Sequence, residues 1–226
     1  CCCRLIKQCN DHRMKTMRNV IPSSSRFQPG NMPLSFFPDP AVSSPEFEQA
    51  LEPAELLVAP AVSYHQHRAC SALVRRMYAW RGYKMSAARQ IIEDPNHATL
   101  GAWMDGELVA TLTASRDSSA GLLADNLYSE ELAKLRKPSH VLCEVTRLAV
   151  DVDSHDPELL KSLFRSSYKY ARAIFGVTDV VIEVNPRHAT YYRREFGFFY
   201  FFTVRTCPRV DAPAVLLHRS LGNLRF

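Results

Sequence analysis

In the stretch CEVTRLAVD, residues 143–151, two opposite charges interrupt an otherwise apolar, strand-like run. Burying a lone carboxylate or guanidinium is costly, so Glu144 and Arg147 must be paired or working. A carboxyl among apolar neighbours has its pKa raised and can take up a proton near neutral pH as a general base. The planar fork of arginine binds a carboxylate through two hydrogen bonds. The same two residues would also satisfy a core ion pair, each serving only to neutralise the other. Residues three apart on a regular strand point to opposite faces. Both side chains therefore reach one cleft only if the strand bulges between 144 and 147, as strands often do beside active sites.

A second chemistry-bearing segment is NPRHATYYRREF, residues 185–196. Asn185 and Pro186 suit the N-cap and first position of a helix. On that helix His188 and Tyr192, four apart, share a face. His188 is a candidate ligand of substrate, against a plain role at the helix start. Tyr191, Tyr192 and Phe196 also read as core aromatics. Next comes FGFFYFFTV (196–204), with six aromatics in nine residues. It would line an apolar tunnel or form a strand covered on both faces. The histidines at 65, 67 and 97 are scattered, and no metal constellation is visible.

The elements that must position these residues follow from pattern. HQHRACSALVRRMYAW (65–80) carries apolar residues at helical spacing. TLGAWMDGELVATLTAS (99–115) gives two apolar runs around Asp105-Gly106, a dipeptide that favours a type I′ hairpin. LYSEELAKLRK (127–137) reads as a short helix, HVLCEVTRLAV (140–150) as a buried strand, and DPELLKSLFRSSYKYARAIF (156–175) as a helix with Pro157 in its first turn. DVVIEV (179–184) is a second buried strand, and GFFYFFTV and APAVLLHR supply closing strands. The alternation implies an α/β (α+β) domain, a mixed central sheet with flanking helices. Residues 1–60, with six prolines in IPSSSRFQPGNMPLSFFPDPAVSSPEF, read as a largely extended or disordered leader, and 61–226 as the domain. Phe36, Phe37 and Phe47 are candidates to dock on it.

Composition excludes some classes. The net charge of +5 and pI near 8.9 suit an acidic partner, but no basic run with interleaved aromatics points to nucleic acid. Seven cysteines without a paired pattern imply reduced thiols and a cytoplasmic protein. No apolar run reaches the roughly 18 residues of a membrane span, so no stable membrane insertion is expected.

The strands 141–150 and 179–184, each followed by a helix, resemble the centre of the GNAT-type N-acyltransferases. In that fold this strand pair splays apart and an acyl thioester enters the gap. CEVTRLAVD resembles the E-x-x-R strand of the acyl-homoserine-lactone synthases. EVNPRHATYYRREFGF and APAVLL, taken with it, are similar to the long-chain N-acyl amino acid synthases. LVRRMYAWRGY (73–83) and GLLADNLYSEELAKLR (121–136) extend the similarity, which covers roughly 64–218.

The resemblance implies an acyltransferase that joins a long-chain acyl group to the α-amine of an amino acid. Glu144 would assist deprotonation, Arg147 would orient the acceptor or lock Glu144, and Tyr192 would protonate the leaving thiolate. The thioester would lie along Thr146, Leu148, Ala149 and Val150, with Asn185 and His188 also in the substrate site. No tightly bound cofactor or metal is implied. Ordinary acetyltransferases follow this strand with a Gly-rich turn that holds the pyrophosphate of coenzyme A. Here the turn is DVDSHDPE (151–158), with four acidic residues and no glycine. That disfavours free acyl-CoA and favours a phosphopantetheine arm on acyl carrier protein. The lactone synthases carry an arginine four residues before the aromatic of the first helix, where this chain has Val74 before Tyr78, and only Glu93-Asp94 stands near their following acidic pair. Both departures put S-adenosylmethionine in doubt as acceptor and leave an amino acid. The alternatives are an acetyl-CoA-dependent N-acetyltransferase and a non-catalytic acyl-binding module of the same fold.

Overall fold

The computed structural model describes residues 55–83, 94–152, 154, 156–200 and 203–222. Among these described residues there are eight strands: β1 (Leu56–Pro60), β2 (His97–Met104), β3 (Glu107–Arg116), β4 (Leu142–Val150), β5 (Asp179–Val184), β6 (Phe199–Tyr200), β7 (Arg205–Cys207) and β8 (Ala212–Ser220). Four helices join them: α1 (Tyr64–Trp80), α2 (Asp125–Leu135), α3 (Pro157–Phe175) and α4 (Pro186–Phe196). The sheet runs β1-β2-β3-β4-β5-β8-β6, with β7 paired to the start of β8. Among the described strands only β4 and β5 are parallel, as expected of strands joined through the crossover helix α3.

Local chemistry sets the element ends. Asp105 and Gly106 both take positive φ (51° and 83°), which is the I′ geometry their types favour, so β2 turns directly into β3. Ser63 caps α1 by accepting from the N–H of Gln66 at 3.2 Å, and the Gln66 side chain accepts from Ser63 N–H at 3.0 Å. Asn185 caps α4 by accepting from the N–H of Arg187 at 3.2 Å, and Pro186 follows at the first position. Gly176 and Gly197 close α3 and α4 in left-handed conformations.

The two faces of the sheet are covered differently. Leu159, Leu163 and Phe164 of α3 and Tyr192 and Phe196 of α4 pack on Cys143, Val145, Leu148 and Val150 of β4. On the other face α2 packs Tyr128, Leu132 and Leu135 on Leu142, Val181 and Leu216. There α1 packs Leu73, Val74, Met77 and Tyr78 on Ala149. Along β4 the core face thus runs 143, 145, then 148, 150, so the alternation skips one residue. The skip is a bulge: Thr146 pairs with Thr113, but Ala149 pairs with Thr111. Arg147 takes φ 50° there, the left-handed region. For a non-glycine residue that costs about 1–2 kcal/mol. A regular strand would turn Leu148 and Val150 away from the α3–α4 core, at about 1.5–3 kcal/mol for each apolar side chain left unburied. Packing wins.

Several expectations change here. A bulge was expected between 144 and 147; the extra residue lies instead between Thr146 and Ala149, with Arg147 at its start. The leader was expected to run to residue 60, but Leu56–Pro60 pairs along β2 as an edge strand, so the sheet begins inside it. Residues 1–54, including Phe36, Phe37 and Phe47, lie outside the described residues. The aromatic run supplies only the two-residue β6, and Phe199 is 67% exposed while Phe196 and Phe198 are buried core. Phe201 and Phe202 lie outside the described residues.

Candidate active site

β4 and β5 pair from Leu142↔Asp179 to Val145↔Ile182 and then part. Thr146–Val150 continue beside β3, while Glu183 and Val184 turn to β8. Beyond Val145, N–H groups on the β5 side of β4 have no β5 partner. They are donors available to a ligand carbonyl lying in the gap.

Glu144 sits at the base of this parting, 1% exposed. Its Oε2 accepts the N–H of Ala124 at 3.1 Å, and its Oε1 has no partner among the described residues. Burial pushes its carboxyl up to about 7; the Ala124 N–H, the Arg209 guanidinium and, more weakly, the Leu123 N–H pull it down, and the Glu183 carboxylate raises it. A carboxyl of that pKa is well suited to exchange a proton at neutral pH.

Arg147 does not pair with Glu144. It is half-buried, no described residue pairs with it, and it lines a pocket with Thr146, Thr113, Ser115 and Leu123. The core ion pair that the sequence allowed is therefore not formed. Arg147 thus combines a left-handed backbone with a guanidinium that no described residue pairs. The pocket also takes in His67, His97, Thr99 and Tyr170, and at about 200 Å³ is smaller than the roughly 300–1,000 Å³ of drug-sized ligand sites. Pro60, Ala61, Val62 and Ala98 complete its lining, which is about evenly polar and apolar. Ser115 is the β3 partner of Glu144, and Leu123 precedes the residue that bonds Glu144, so the carboxylate lies just behind this wall.

The remaining predicted site residues fall elsewhere. Leu148 and Val150 are buried against α3, and Ala149 against α1, so only their backbone faces the gap. Asn185 is used in capping α4. His188 is 5% exposed and its Nε2 accepts from Arg187 Nε at 3.1 Å. Burial, then the Arg187 and Arg81 guanidiniums, push it down to about 4, so it is neutral at pH 7. Tyr192, 2% exposed, packs edge-on to Phe164 and Phe198 and is not brought to the Arg147 pocket.

Sequence reading missed Glu183 and Arg209. Glu183 is 5% exposed on β5, and its Oε2 accepts from Arg209 Nη2 at 2.9 Å. The signal for Glu183 was in view: a single acid between Ile182 and Val184 in a buried strand is as odd as Glu144. Nothing local marks Arg209, which arrives from the turn between β7 and β8. After β4, Asp156 caps α3 by accepting from the N–H of Glu158 at 2.8 Å, and Asp151 ion-pairs with Arg76 of α1. Asp153 and His155 of this turn lie outside the described residues. Among the described residues no cluster of metal-ligating side chains occurs, and no helix is long and apolar enough to cross a membrane.

The model of the FeeM family of N-acyl amino acid synthases matches residues 69–220. No curated protein matches the chain. Among solved structures, FeeM, an N-acyl amino acid synthase from uncultured soil microbes, is 26% identical with a TM-score of 0.69, over 75% of this chain and 93% of that one. NAA60 of Arabidopsis thaliana, solved with a bisubstrate analogue, is 14% identical with a TM-score of 0.55, over 74% and 100%. A putative N-acetyltransferase from Lactobacillus plantarum gives 14% and 0.54, over 74% and 98%. These last two show the fold alone, which is that of the GNAT acyltransferases.

Proposed function

The chain belongs to the FeeM N-acyl amino acid synthase family and is an N-acyltransferase; from that premise we propose that it joins a long-chain acyl group, delivered on acyl carrier protein, to the α-amine of an amino acid. The observation that carries the reading is the pairing of two sites at the parting of β4 and β5. A buried carboxyl poised near neutrality stands on one side and an uncommitted arginine on the other.

In this reading Arg147 binds the acceptor carboxylate through its two-pronged fork. The α-ammonium then lies toward Glu144, which takes one proton, since an α-amine is mostly protonated at pH 7. The free nitrogen attacks the thioester carbonyl lying along Thr146–Val150, and unpaired β4 N–H groups hold the developing oxyanion. Collapse breaks the carbon–sulfur bond and expels the phosphopantetheine thiolate, and the further proton that the nitrogen sheds on becoming an amide goes to that sulfur, which leaves as thiol. The amides of the α3 N-terminus support the choice of donor. Asp156 already serves one of them, and the acidic turn 151–158 offers a pyrophosphate repulsion rather than a cradle. The test is the full-length chain with palmitoyl-carrier protein, palmitoyl-CoA or acetyl-CoA and mixed amino acids, read by mass spectrometry. Acyl amino acid from the carrier thioester is expected; product from acetyl-CoA alone would overturn the reading.

A further inference from the structure

The hairpin of β7 and β8 delivers two arginines to buried carboxylates, and the two pairs differ. Arg205 reaches Glu131 of α2 with both of its terminal nitrogens, so both carboxylate oxygens are bound. Arg209 reaches Glu183 through one oxygen, and Glu183 Oε1 stays buried without a partner among the described residues. Glu183 is the first β5 residue past the parting and shares its face with Glu144, whose own Oε1 is likewise unpartnered. Arg209 also donates to the carbonyl of Leu123 at 3.3 Å, in the loop whose next residue, Ala124, bonds Glu144. One guanidinium thus ties Glu183 to the loop that holds Glu144.

We propose that Glu183 and Arg209 are positioning residues that set the charge state of Glu144, so that it is ready to accept the proton of the incoming ammonium. The proposal rests on the reading of Glu144 as the base. Two carboxylates buried on one face repel, and a shared cation decides which of them ionises first. The other groups around them are accounted for. Asp125 of α2 is held by Arg136 at 2.6 Å, and Glu131 by Arg205. The Tyr128 phenol donates to the Ala214 carbonyl at 2.8 Å. Cys143, on β4 itself, is pushed up to about 12 by burial and is an uncharged thiol, and burial raises Cys207 as well. β3 presents only the uncharged Ser115 opposite Glu144.

The ion pair gives a signature that packing alone does not. Without the Arg209 charge, Glu144 keeps its proton to higher pH; without the Glu183 charge, Arg209 acts on Glu144 alone and it ionises at lower pH. The experiment is the pH profile of kcat/KM for the full chain with acyl-carrier thioester and amino acid. Arg209→Gln is expected to move the acid limb up by about one pH unit, and Glu183→Gln to move it down by about one. The double variant is expected to return near the wild-type limb, and Arg209→Lys to restore it. Limbs that stay in place, or that move the same way in both single variants, overturn the proposal. Should the glutamine variants not fold, the infrared carboxyl band that Glu144→Gln abolishes is titrated in the wild type, Arg209→Met and Glu183→Met, with a higher midpoint expected in the first variant and a lower one in the second. A band midpoint common to all three overturns the proposal. If Glu144→Gln keeps the wild-type rate, the base reading falls and takes this one with it. If it loses the rate while the limbs stay fixed, this inference alone fails.

Discussion

Among the carboxylates buried on one face of the β4–β5 pair, Asp179 and Glu144 are treated in opposite ways. Asp179, at the closed end, is saturated: His218 Nε2 lies 2.7 Å from Oδ1 and the Thr178 hydroxyl 2.7 Å from Oδ2. His140 Nδ1 adds an ion-pair contact at 2.9 Å, off the line of a hydrogen bond. Glu144, where the strands part, has one N–H at 3.1 Å and an Oε1 with no hydrogen bond among the described residues. A satisfied buried acid clamps strands together, whereas a half-satisfied one is unstable as an ion and therefore ready for a proton. The same chemistry, two strand residues from the opening, becomes reactive because its partners have been withheld.

The comparison can be broken most sharply at Glu144. Glu144→Gln is expected to lower kcat by about 10²–10⁴, the range of general acid–base catalysis, with little change in acceptor KM. Asp179→Asn is expected to do the reverse. Removing one partner of a buried charged network costs about 3–5 kcal/mol, read as a lowered denaturant midpoint, while kcat of the folded fraction stays within a few-fold.

Stability against pH gives a second reading of Glu144. Glu144 is raised in the folded chain, to about 7 from 4.5, so the folded state binds its proton more tightly than the unfolded one. Both states are protonated below pH 4.5, and stability is lost as pH rises from there to 7, by on the order of 3 kcal/mol. Glu144→Gln removes that loss. Its stability relative to wild type is expected to climb through this window in urea titrations at successive pH values.

Arg147 sharpens the same contrast at smaller scale. Arg147→Gly relieves a left-handed arginine, so stability is expected to hold or to rise by up to about 1 kcal/mol. Acceptor KM is expected to rise by tenfold or more as the bidentate carboxylate contact is lost, on the order of 1.5–3 kcal/mol for hydrogen bonds to a charged group. Function falling while stability does not would mark the residue as kept for binding. Tyr192→Phe is the smallest effect: ring packing on Phe164 and Phe198 survives, and kcat is expected to stay within about threefold; a larger loss would mark the phenol as the proton donor to the departing thiolate.

Much of this frame was legible in the residues. The I′ hairpin at Asp105-Gly106, the Asn185-Pro186 helix start and the buried strand 179–184 follow from local rules, and they appear within a residue or two of expectation. The bulge was legible in kind but misplaced. Its position is dictated by Val145 and Leu148, two apolar residues three apart that must reach one core, rather than by the charged pair. β1 was hidden because its apolar run lies inside a proline-rich stretch and acquires its partner only from β2, some forty residues on. Arg209 was invisible for the same reason: its partner Glu183 lies 26 residues away and meets it only when the β7–β8 turn folds over α2. Local chemistry is written locally; charge partners are set by topology.

The central claim is that Glu144 is the base of an N-acyl transfer. It is tested most directly by the pH dependence of kcat/KM, with acyl-carrier thioester and an amino acid, for the wild type and Glu144→Gln. The account predicts a wild-type rate that rises with an apparent pKa near 7, and a variant that is about a hundredfold slower or worse with that rise gone. A variant that matches the wild type in rate and keeps the same rise would contradict it.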